Sequence, residues 1–163
     1  MHQAIVAHLG TRQVARVIYG AIIGLALVVV LEQHPPAPGV AAGSLVATAI
    51  AVGLAELYSE VVGTETRTRH RVSRMHLAAI GSDATAVAFG IAFPAVFFLL
   101  SGLGAMDVET AFKLAKWSGL GLIGFYGFAA ARLAGAGLPT CLLQAVGAAL
   151  IGALLIAMKA LLH

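Results

Sequence analysis

Glu56 and Glu60 close the apolar run VAAGSLVATAIAVGLAELYSEVVG, with Tyr58 and Ser59 between them. On a helix, residues four apart share a face, with Cβ atoms roughly 5–6 Å apart. An acid beside hydrocarbon is costly unless it is paired, hydrated or neutralised. Two ionised carboxylates this close also repel, and a proton or a divalent cation relieves the repulsion. Oxygen donors from Glu, Asp, Ser and the backbone suit a hard or borderline divalent ion. Glu56 and Glu60 are therefore candidate metal ligands, with Tyr58 beside them in an ion site. The competing reading ends the apolar run near Leu57 and leaves Glu60 and Glu65 solvated, paired with Arg67 or Arg69.

Asp83 follows Ser82 at the start of the next apolar run. It reads either as an N-cap or N-terminal acid of a helix, or as a third member of the site. The second interpretation follows from a hairpin, in which the exit of one run and the entry of the next meet at one membrane face.

Composition defines what must position these acids. Of 163 residues, 60% are hydrophobic and 10% charged, and mean hydropathy is +0.96. A soluble domain carries roughly 25% charged residues, so a normal water-facing surface is excluded. A spanning helix needs about 20 mostly apolar residues, and five stretches qualify: 14–32, 40–62, 83–103, 109–133 and 139–162. The expected architecture is all-α, a single polytopic domain over 1–163 with five transmembrane helices. Prolines in EQHPPAPG stop the first helix, and Pro94 predicts a kink in the third. The first run also resembles a signal peptide, but no small-x-small cleavage pattern follows Leu31, so a retained helix is expected.

Arg12 and Arg16 precede the first span, Arg67, Arg69, Arg71 and Arg74 fall in the polar string TETRTRHRVSRMH (64–76), and Arg132 closes the fourth span. The positive-inside rule then places the N-terminus and a basic loop 64–76 in the cytoplasm and the C-terminus outside. Lys113 and Lys116, at the outer end of the fourth span, run against this and require snorkelling. The arginine cluster reads as an orientation signal that touches anionic headgroups, or else as an anion site. It lacks the interleaved aromatics of a nucleic-acid platform.

Small residues mark candidate helix contacts. Gly20 and Gly24, then Gly39 and Gly43, have GxxxG spacing, and Ala145, Ala149, Ala153 and Ala157 repeat every four residues. Such faces serve either a homodimer seam or packing within one subunit. Trp117 and Tyr126 are interfacial anchors or buried donors. The lone Cys141 excludes an intramolecular disulfide and reads as an inert small side chain. His2, His8, His34, His70, His76 and His163 have no ligand-like spacing and read as solvated. No phosphate loop, His pair at i,i+4 or nucleophile beside a base is visible, so neither enzymatic activity nor an organic cofactor is expected.

The order of these features resembles the vacuolar iron transporter family. GLAELYSEVVGTETRTR resembles its second helix, FGIAFPAVFFLLSGL its third, and FYGFAAARLAGAGLP the exit of its fourth; the similarity covers about residues 12–162. Glu60 matches the family's second-helix glutamate, and Glu56 stands where the family often has a metal-ligating methionine. Ile23 stands where its first helix carries an acid, and the long metal-binding insert between helices two and three is missing. The resemblance implies a homodimeric divalent-metal/proton transporter of a bacterial inner (plasma) membrane, moving Fe, Mn or Zn. Its site would be Glu56, Glu60 and Asp83 at the cytoplasmic end of helices two and three. The alternatives are a non-transporting membrane subunit or assembly factor of the same fold, and a small ion channel.

Overall fold

Prolines, glycines and short polar residues punctuate the chain into helices. A computed structural model describes the backbone of residues 2–161, and side-chain surroundings from Gln13 to Leu154 together with Ile156 and Ala157. Among the described residues the elements are all helical: α1 (His2–Leu31), α2 (Pro38–Thr68), α3 (Arg74–Ala92), α4 (Ala95–Gly102), α5 (Val108–Leu133) and α6 (Leu138–Leu161). Three of them contain stretches long and apolar enough to cross a bilayer: Gln13–Leu31, Pro38–Thr68 and Arg74–Ala92.

The capping chemistry explains the boundaries. Pro38 begins α2 at a position whose N–H has no helical partner. Asp107 caps α5 by accepting the Thr110 N–H at 2.8 Å. Ser73 caps α3 by accepting the His76 N–H at 3.3 Å. Gly104 (φ 77°) and Gly135 (φ 78°) take the left-handed conformation that ends α4 and α5.

Three expected boundaries change. The basic loop 64–76 contracts to residues 69–73, because α2 continues to Thr68 and α3 already begins at Arg74. Hydropathy falls at Thr64, but a helix does not end where the apolar run ends. The Thr66 and Thr68 hydroxyls donate to the Val62 and Thr64 carbonyls, and Arg69 closes the helix in the left-handed region at φ 55°. The expected third span, 83–103, becomes two helices. Pro94 has no N–H to donate, and the chain tightens there through Phe97 N–H to Pro94 O at 3.2 Å. The first helix also extends well before Val14, back to His2.

α1 lies at the centre, between α3 and α5. α2 packs mainly on α3 and α6 mainly on α5, each also touching α1, and α4 bridges α2 and α5. Glycines let α1 and α3 touch backbone to backbone. Gly20 meets Val87 and Gly24 meets Ile91, so the two helices run parallel; a methyl at Gly90 would come within 2.5 Å of the Val17 carbonyl oxygen. Gly53 of α2 lies against Ala84 and Ala88. The largest apolar cluster joins Val28, Leu45, Phe98 and Phe112, with the Phe98 and Phe112 rings edge to face at 4.7 Å. Outside this core, large apolar side chains such as Leu54, Trp117, Phe125 and Leu143 are exposed.

Candidate functional site

Helix register brings three charged positions to one level. Counting back four residues from the Gly20–Val87 contact pairs Arg16 of α1 with Asp83 of α3. On the other side of α3, Leu57 and Gly81 border one groove, which puts Glu56 of α2 at the same height. One turn of helix carries Glu60 towards the α2–α3 turn.

Within this layer Arg16 is the organising residue. Its Nη1 contacts Glu56 Oε1 directly, and its Nη2 lies 3.9 Å from Glu60 Oε2. Side-chain exposures are 24% for Arg16, 18% for Glu56 and 26% for Glu60. The two acids do share a face, as their spacing requires, but a guanidinium stands between them. A planar, permanently charged fork with several donors suits this place better than an ammonium would. Partial burial strengthens the pair relative to one on an open surface.

Asp83 is buried, at 6% exposure. It sits nine residues inside α3, whose cap is Ser73, so the N-cap reading is corrected. It shares the level of Glu56, yet among the described residues no three of His, Cys, Asp or Glu gather as a metal-ligand group. Tyr58 points away from the layer and is 71% exposed; alternation around the helix turns it outward while Glu56 and Glu60 turn in. Glu65 accepts the Val72 N–H at 3.2 Å rather than pairing with Arg67 or Arg69, because the left-handed turn at Arg69 folds that amide back over it.

The packing residues divide. Gly20 and Gly24 serve the α1–α3 contact inside the chain, and Ala149 lies against Gly124 of α5. Ala153 lines a cavity with Lys116 and Trp117. A methyl on Gly39 or Gly43 would meet nothing within 4 Å, so neither packs within the subunit. Cys141 is buried, while His34, His70 and His76 are exposed. The side chains of His2, His8 and Arg12, and all of His163, lie outside the described residues.

Sequence reasoning assigned Arg16 to orientation and overlooked it as a partner of the acids. Charge balance across a hairpin at one membrane level was the signal that could have found it. A second pair was also overlooked: Lys116 Nζ lies 2.6 Å from Glu32 Oε1, both about a quarter exposed, at the opposite end of α1. With Lys113 bonded to Glu109 at 2.7 Å, both lysines that ran against the orientation rule have a carboxylate partner. A third polar contact, Gln13 Nε2 to Ser82 Oγ at 2.6 Å, joins α1 to α3.

Compared with protein-family models, curated proteins and solved structures, the chain matches none.

Proposed function

We propose that the chain is a five-span membrane protein of the vacuolar-iron-transporter type, in which Glu56 and Glu60 form a cation site whose resident counter-charge is Arg16. The single observation carrying this is the guanidinium shared between two half-buried carboxylates on the face of a long apolar helix. A divalent ion or protons would take the acids when Arg16 swings away, and competition among the three is how one site couples two fluxes. Asp83, at the same level, would complete the charge balance as the guest passes. The orientation implied by the arginines would put this layer at the cytoplasmic side of the membrane. Gly39 and Gly43 offer the open face on which a second copy would pack.

A second reading has its own support. The direct Arg16–Glu56 contact equally describes a permanent clamp between α1 and α2 in a non-transporting membrane subunit. Flux separates the two. In proteoliposomes, Glu56→Gln and Glu60→Gln abolish divalent-ion uptake if the layer is a transport site. Wild-type protein that moves no Fe, Mn or Zn under a proton gradient leaves the clamp standing.

A further inference from the structure

The short turn between α2 and α3 concentrates positive charge, with four arginines against the single acid Glu65. Arg67, Arg69, Arg71 and Arg74 are all exposed, and among the described residues no carboxylate lies within ion-pair reach of any of them. The only acid of the segment, Glu65, is committed to the Val72 amide. The turn is held in shape: the Thr68 hydroxyl bonds the Thr64 and His70 carbonyls, and Ser73 caps α3. Exposed Met75 and Leu77 follow at once.

The same two helices flank a shallow, open apolar groove of about 420 Å³, lined by Ile50, Leu54 and Leu57 on one side and Gly81, Ala84 and Ala88 on the other. The groove exists because small residues face each other. A methyl on Gly81 would meet nothing within 4 Å, and one on Gly53 would reach the Ala84 carbonyl oxygen only at 3.6 Å. Its near end lies seven residues along α3 from Arg74 and ten along α2 from Arg67, hence about 10–15 Å from the guanidinium groups at 1.5 Å per residue. An acyl chain spans that distance.

We infer that the arginine turn and the α2–α3 groove together bind one anionic phospholipid, its phosphate among Arg69, Arg71 and Arg74 and an acyl chain along Leu57 and Gly81. Two observations converge on this occupant. Uncompensated guanidinium groups at the end of two apolar helices select anionic over zwitterionic headgroups, and the groove accepts a chain that a free phosphate lacks. The lipid would tie α2 to α3 beside the Glu56 layer. This rests on the membrane reading above, though not on any ion being moved.

The test uses full-length protein in a non-ionic detergent at low salt, titrated with short-chain phosphatidylglycerol, matched phosphatidylcholine and inorganic phosphate, with melting temperature as readout. Phosphatidylglycerol should raise the melting temperature most, and added salt should weaken its effect. Arg71→Gln/Arg74→Gln should lose roughly thirtyfold in phosphatidylglycerol affinity, from about one kcal/mol per arginine. Gly81→Leu, at a position with room for a side chain, should weaken both lipids while keeping the preference between them. Equal response to the two lipids, phosphate acting as well as phosphatidylglycerol, or either variant binding like wild type would overturn the proposal. A chain that extracts without detergent would instead sink the membrane reading itself.

Discussion

The two ends of α1 are both tied by ion pairs, but on different terms. At the basic end one guanidinium serves two carboxylates on α2, one in direct contact and one at 3.9 Å. At the other end one ammonium serves Glu32 through a 2.6 Å bond to α5. Between them lie Val17 to Leu31, all apolar or glycine except Tyr19, about 22 Å of helix. Exposure does not distinguish the ends, since all five side chains lie between 18% and 26%. What differs is sharing. A cation divided between two acids can be exchanged for another cation while the acids stay in place, whereas the lysine bond to Glu32 fastens α1 to α5.

Breaking the shared pair should have the largest effect. Arg16→Gln leaves Glu56 partly buried beside another acid, and we expect a loss of about 2–4 kcal/mol in detergent stability. Adding Glu56→Gln should restore much of that, and thermal unfolding of the two singles and the double gives the coupling energy. Additive losses would mean that the two side chains do not interact. Lys116→Met should cost less, about 1–2 kcal/mol, because its aliphatic replacement keeps the stem's packing while Glu32 retains access to water. It should leave any divalent-ion response unchanged; a lost response would make the outer pair part of the site.

The smallest effect belongs to the loop before α5. The Thr110 N–H, followed by its hydroxyl, holds the Asp107 carboxyl below its ordinary value of 3.8. The folded-state value is depressed, so the ionised cap stabilises above that ordinary value, and its contribution fades as pH falls through the lowered one. Asp107→Asn should flatten this part of the acid profile of the melting temperature and barely alter neutral stability, because asparagine also caps helices.

The sequence carried the helical class, the proline break and the common face of Glu56 and Glu60, because each follows from periodicity or from the chemistry of one residue. Helix ends were harder. Hydropathy marks where lipid-compatible sequence stops, yet the backbone stays helical to Thr68 and closes only at the left-handed Arg69. Pairing was hardest. Arg16 stands forty residues from Glu56, and only the close parallel contact of α1 with α3, made by Gly20 and Gly90, sets the level at which they meet. The same contact decides that the first GxxxG works inside the subunit, which spacing could not say. Tyr58 lies in the same segment as Glu56 and Glu60 but on the opposite side of the helix, and its outward turn reflects the 100° step between successive residues.

Calorimetric titration of Mn²⁺ into purified wild-type and Arg16→Gln protein tests the shared-cation claim most directly. If Arg16 is the tethered occupant of a cation site, its removal should tighten binding by about tenfold or more, and adding Glu56→Gln/Glu60→Gln should abolish it. No Mn²⁺ binding to either protein, or binding that survives loss of both glutamates, would contradict the claim and leave Arg16 as a clamp.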